Sequence, residues 1–143
     1  MLFRSLLDHV RDKRRRSLWS PTQATGRRGE DLAHRYLRKQ GYTVVARNYR
    51  LAAGDAEADI IAWDGEALVV VEVKTRESDA YGPPDRAIGE DKRRALQRVA
   101  REYARKSNTD ESQVRCDVVS VILSSPPRLE LFRDAMVLTA RRT

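Results

Sequence analysis

Cysteine is nearly missing from this chain: Cys116 stands alone among 143 residues. One thiol can neither close an internal disulfide nor supply a cysteine-rich zinc cage, so the sequence suits a reducing cytoplasm and leaves oxygen as the donor for any metal. Long apolar runs are missing too. The longest, Ala67 to Val71, falls far short of the ~20 residues that a membrane-spanning helix needs. There is no internal repeat, and low complexity is confined to the basic run at 13–16. The N-terminus lacks the apolar core of a secretory signal, and Asp8 and Asp12 count against an acid-poor transit peptide. What remains is a chain with 41% hydrophobic and 34% charged residues, enough apolar material for one core and too little length for two packed domains.

Lysine and arginine exceed aspartate and glutamate by seven, for a pI near 10.0. Such a balance favours polyanionic partners, nucleic acid before an anionic membrane. The surplus is uneven. Residues 1–20 hold six basic groups against two acids, whereas Leu51 to Val73 contains no lysine or arginine and six acids. Glu90 to Lys106 is basic again. A protein that only binds polyanions has little use for an acidic island, while one that cuts them needs carboxylates for metal within a basic surround.

Apolar spacing predicts a short amphipathic helix near the N-terminus, then a helix over about 25–40 with Leu32, Ala33, Tyr36 and Leu37 inward and Gly41 as its stop. Residues 42–47, 58–63 and 67–74 read as strands, the last two joined at Asp64-Gly65. A proline-containing loop leads to a helix over 90–107, and strands follow at 114–123 and 128–132. This order predicts an α/β domain over residues 25–143, a central mixed sheet flanked by helices, with residues 1–24 as a basic extension.

Within Val69 to Lys74, a run apolar enough for a strand buried on both faces, Glu72 and Lys74 are costly unless used or paired. Alternation puts Val70, Glu72 and Lys74 on one face and Val69, Val71 and Val73 on the other. With Asp64-Gly65 as a two-residue loop, Trp63 pairs with Glu66, Asp59 faces Val70 and Glu57 faces Glu72. Glu57, Asp59, Glu72 and Lys74 then share a side, and Asp59 and Glu72 are diagonal neighbours roughly 7–8 Å apart at the backbone. Two such carboxylates suit Mg²⁺ or Mn²⁺, and Lys74 suits a developing phosphorane charge. Spacing alone equally allows a strand-edge ion pair. Asp117 reads as a buried acid paired with an arginine, Cys116 as a small core residue and His34 as a surface histidine.

Gly26-Arg27-Arg28-Gly29-Glu30, Arg47-Asn48-Tyr49-Arg50, Glu57-Ala58-Asp59-Ile60-Ile61, Val71-Glu72-Val73-Lys74-Thr75-Arg76, Tyr81-Gly82, Lys92 and Asp117-Val118-Val119 together resemble the YraN-like family of small bacterial proteins. That family looks like a branch of the restriction-endonuclease-like, PD-(D/E)xK superfamily and is similar in outline to archaeal Holliday-junction resolvases. The resemblance covers about 26–123. It implies a restriction-endonuclease-like core with Asp59 and Glu72 as motif carboxylates, Lys74 as motif lysine and Glu30 joining from the first helix. It also implies a Mg²⁺-dependent endonuclease acting on structured or branched DNA, DNA ahead of RNA. Arg14, Arg15, Arg16, Arg76, Lys92 and Arg93 are the candidate nucleic-acid contacts, although Lys92 and Arg93 equally read as solvated charges. The rival readings are a non-catalytic nucleic-acid-binding module and an adaptor working at membranes or assemblies through the basic N-terminus. The residues do not fix the oligomeric state; a homodimer is compatible with them.

Overall fold

The computed structural model describes residues 21–78, 80, 82–136 and 138, so Arg14, Arg15, Arg16 and Tyr81 lie outside the described residues. Its elements run α1 (Pro21–Lys39), β1 (Thr43–Arg50), β2 (Glu57–Asp64), β3 (Ala67–Arg76), α2 (Glu90–Lys106), a 3₁₀ turn (Glu111–Gln113), β4 (Val114–Ile122) and β5 (Arg128–Met136). The sheet order is β1-β2-β3-β4-β5. Only β3 and β4 run parallel; α2 is the crossover that a parallel pair requires. This is an α/β fold consistent with a restriction-endonuclease-like core. Helix α1 begins four residues before the expected start, and β1 and β5 extend past their expected ends.

The five-strand sheet separates two cores. Leu32, Ala33, Tyr36 and Leu37 of α1 pack with Ile60, Val69, Val71 and Val73 on one face. On the other, Leu96, Val99, Ala100 and Ala104 of α2 pack with Ile61, Leu68 and Val70. The alternation expected for β3 therefore holds, and its apolar run reflects burial beneath both helices. Gly41 (φ +94°) ends α1, its amide donating to the Arg38 carbonyl while that of Tyr42 donates to Leu37.

The β2–β3 hairpin departs from the expected pairing. Asp64 pairs with Ala67 and Ile60 with Val71, so the loop is Gly65-Glu66, one residue later than expected. Gly65 takes φ +59° at the first loop position, where glycine has no steric cost. Asp64 stays in the ladder because Arg115 of β4 holds its carboxylate. The register moves by two residues, an even number, so each side chain keeps its face but changes its partner.

Asp117, fully buried on β4, accepts hydrogen bonds from Tyr42 Oη (2.6 Å), Arg115 Nε (3.0 Å) and the Asp134 amide (2.9 Å). It is the arginine-paired acid expected, at the end of the sheet where β1 and β4 begin. Cys116 is buried in the core, as expected.

Helix α1 lies against β3 with almost no clearance. A Cβ at Gly29 would stand 1.9 Å from Thr75 Oγ1 and 2.8 Å from Thr75 Cβ. Gly29→Ala should therefore cost about 1–3 kcal/mol in urea unfolding, the usual range for overpacking, with Thr75→Gly recovering part of it. An unchanged midpoint would show that the helix can stand off from the strand at no cost.

Candidate functional site

Strands β2 and β3 are paired as far as Ile60 and Val71, then part. Beyond that point β2 stays paired with β1 (Ala58 with Tyr49, Glu57 with Arg50), while β3 follows β4 from Glu72 to Arg76. Asp59 sits in the fork. One step past the last pair, the register brings it level with Glu72, opposite rather than diagonal as first expected. Its Oδ2 accepts the Val73 amide hydrogen at 2.8 Å, so a side chain takes the place of a ladder carbonyl. Glu57, expected to face Glu72, instead pairs with Arg50 on β1 at 3.1 Å, because the two-residue shift carries it past Glu72.

The two carboxyl groups repel each other when both are charged, and a hydrogen bond joins them when Glu72 keeps its proton. Burial first, and the Asp59 charge second, push the Glu72 carboxyl up to about 7; the nearby Lys92 and Lys74 only partly offset this. Burial likewise raises Asp59, against the Val73 amide and Lys92, which favour its charged form, and Glu72 is hydrogen-bonded to it. Glu72 Oε2 is 3.3 Å from Lys92 Nζ, yet it is buried without a well-formed hydrogen bond among the described residues. Lys92, read from sequence equally as a phosphate contact and as a solvated charge, reaches the carboxylate site from the first turn of α2.

Glu30 approaches the same fork from α1. Burial and then the charge of Asp59 raise its carboxyl, while Asn48 and Arg47 oppose the shift. Arg47 Nη2 lies 3.6 Å from its Oε2, and Arg47 Nη1 binds Asp31 at 2.7 Å. Lys74 shares the Glu72 face, but its ammonium reaches Asp85 of the 77–89 loop at 3.0 Å. Arg76 Nη2 donates to the Gly82 carbonyl at 3.1 Å. Arg93 is held by Glu90. His34 is half-buried rather than fully exposed, and burial lowers its pKa.

Asp59, Glu72, Lys74 and Lys92 therefore converge, with Glu30 beside Asp59; Glu57 pairs with Arg50, yet its charge still reaches Asp59 and helps to raise it. Among the described residues, no group of three or more acidic, histidine or cysteine side chains could hold a metal ion. Two carboxylates remain. An oxygen-only pair with an orphaned buried carboxylate oxygen fits Mg²⁺ or Mn²⁺, which take one or two protein carboxylates and complete their shell with water and phosphate. Sequence spacing did not give the inward course of Lys92 or the Lys74–Asp85 pair, since both depend on how α2 and the loop before it dock. The sequence signals for Lys92 were its place in the first turn of α2 and its presence among the motif residues that resemble the family.

Comparison with known proteins agrees with the motifs. Residues 29–121 match the model of "Uncharacterised protein family UPF0102". A UPF0102 protein of Solibacter usitatus is 51% identical over 130 residues, covering 91% of this chain and 97% of that protein. One from Koribacter versatilis is 43% identical over 116 residues, 80% of each chain. Another, from Rhodococcus opacus, is 43% identical over 114 residues, 78% of this chain and 95% of that one. With the Asp59 and Glu72 motifs inside the matched span and the identity running through most of both chains, this protein belongs to the UPF0102, or YraN, family.

Proposed function

We propose that the protein is a divalent-metal-dependent endonuclease that hydrolyses phosphodiester bonds in nucleic acid, structured or branched DNA before RNA. The observation that carries this reading is the Asp59–Glu72 pair: two raised carboxyls held against each other in a strand fork, with two lysine side chains beside them. A protein that only bound phosphate would gain nothing from buried carboxylates that repel it. Asp59 and Glu72 would hold Mg²⁺ or Mn²⁺, which would supply a lowered pKa for a bound water and polarisation of a phosphoryl oxygen.

The chain's own groups do the remaining work. Asp59 is immobilised by the Val73 amide, so its free oxygen has a fixed direction. Lys92 Nζ, close to Glu72 Oε2, offsets the carboxylate charge in the free protein and is placed to turn to a substrate phosphate. Lys74, on the Glu72 face, supplies positive charge to the attacking water or the developing phosphorane; Asp85 keeps its ammonium extended along the loop until substrate arrives. Glu30 raises the negative field at Asp59 and helps to favour a cation there.

The metal-free protein should lose stability as the pH rises. Glu72 titrates near 7 when folded and near its ordinary 4.5 when unfolded. Between those values the folded state holds the extra proton, so unfolding becomes easier by an amount on the order of 3 kcal/mol and then levels off. Glu72→Gln should remove the Glu72 share of this slope and leave the part due to Asp59 and Glu30, melting above wild type at about pH 8 and close to it at about pH 4. Mg²⁺ or Mn²⁺ should raise the wild-type melting temperature, more at the higher pH, and the increment should vanish in Asp59→Asn/Glu72→Gln. Calorimetric scans with no metal increment at any pH would remove the metal site.

For catalysis, Lys74→Met should reduce cleavage about 100-fold or more and leave binding within several-fold, because the lost charge acts mainly in the transition state. Glu72→Gln should abolish cutting with binding equal or tighter. The assay compares identically purified wild type and variants on branched, nicked and single-stranded DNA and RNA. Cleavage that persists unchanged in Glu72→Gln belongs to a contaminant or to another site and overturns the role given to Glu72, and binding without cleavage by wild type selects the binding-module reading.

A further inference from the structure

Beyond Lys74 the sheet continues into a cavity of about 540 Å³, within the ~300–1,000 Å³ range of small-ligand sites. In register, Lys74 of β3 lies beside Ser120 of β4, and Ser120 beside Glu130 of β5. One row further on, Arg76, Ile122 and Arg128 line up in the same way. Cross-strand partners share a face, so the floor of the cavity, Ser120 and Ile122, extends the surface that carries Glu72 and Lys74. Pro83 and Pro84 roof it, and Arg128 and Glu130 stand at its outer edge.

The roof is tied down on both sides. Arg76 donates to the Gly82 carbonyl at 3.1 Å and the Arg86 guanidinium lies 5.4 Å over the Phe132 ring; Lys74 adds its contact to Asp85 (3.0 Å) until substrate draws the ammonium away. A cavity held open in this way costs its ligand little reorganisation. Its chemistry selects among ligands. A phosphate group would meet the Glu130 carboxylate at the rim and the prolyl and aliphatic walls within. A flat heteroaromatic ring fits those walls, while Glu130 accepts from its amino or imino hydrogens and Arg128 donates to its ring nitrogens and carbonyl oxygens. Strands are ~4.8 Å apart, so the floor starts about one strand away from Lys74. A ligand in the cavity is therefore close enough to be joined to a phosphate held at Lys74.

We infer that the cavity between the Gly82–Asp85 loop and strands β4 and β5 receives one unstacked nucleobase of the strand whose phosphate lies at Lys74 and Glu72. The inference rests on the nuclease reading for its substrate and sharpens it. A base can enter only from a single-stranded segment, a junction or a nick, because in a continuous duplex it would have to leave the stack.

The test measures binding in Glu72→Gln, so that cleavage does not interfere. Fluorescence anisotropy compares single-stranded oligonucleotides, DNA and RNA in separate arms, with versions in which one position after another is made abasic. Removing the base at one particular position should weaken binding about 5- to 100-fold, the range of one good set of side-chain hydrogen bonds to a base edge, and other positions should matter far less. Arg128→Gln/Glu130→Gln, at two exposed positions, should abolish that position dependence while leaving the melting temperature near that of its parent. Ser120→Ala is a second, smaller change in the floor and should reduce the effect.

Equal affinity for every abasic version, or a position effect that survives in the double variant, overturns the inference, as does no binding to single strands at low salt. The nuclease reading fails separately. If wild type cuts nothing while the abasic effect persists, the pocket stands and catalysis falls; if wild type cuts but shows no abasic effect, the reverse holds.

Discussion

The hydrogen bond from the Val73 amide to the Asp59 carboxylate organises this protein. In an uninterrupted hairpin that amide would find a backbone carbonyl on β2. By accepting it instead, Asp59 lets the two strands separate without leaving a buried donor unsatisfied. Separation creates the fork, the fork gives Glu72 room beside Asp59, and the helices on the two faces bring Glu30 and Lys92 to the opening from opposite sides. Cutting the same bond would thus disturb the strand ladder and the carboxylate pair together.

Most of the architecture was legible because it depends on local patterns. The stripes of α1 and α2, the glycine stop at Gly41 and the two-faced burial of β3 each follow from spacing within one element. The hairpin register was legible only to within two residues. Asp64-Gly65 and Gly65-Glu66 both place a glycine in a short loop, and Arg115, fifty-one positions on, decides between them by holding Asp64 in the strand. Since the error was even, Glu72 and Lys74 kept their face while Glu57 and Asp59 changed partners.

The candidate site divides along the same line. Asp59, Glu72 and Lys74 could be grouped by strand parity, whereas Glu30 came only through resemblance to a family. Its position depends on how closely α1 approaches β3 at Gly29, a tertiary fact that helix spacing does not carry. Spacing left Lys92 open between a phosphate contact and a solvated charge, because a lysine in the first turn of a helix ordinarily meets solvent. Here that turn begins beside Glu72, and the ammonium offsets part of the field of a buried acidic pair.

The two outer strands share a feature with a different consequence. Each contains a polar residue in the left-handed region, Asn48 at φ +49° in β1 and Asp134 at φ +51° in β5, and each ladder has a register shift. Charged side chains occur along both strands, including Arg47, Arg50, Arg128 and Glu130. An open sheet edge is a template on which another chain can add a strand, in amyloid as in domain exchange. Neither edge offers a long, flat and uncharged row of amides and carbonyls. Among the described residues, the sheet is therefore guarded against indefinite edge-to-edge growth at both ends.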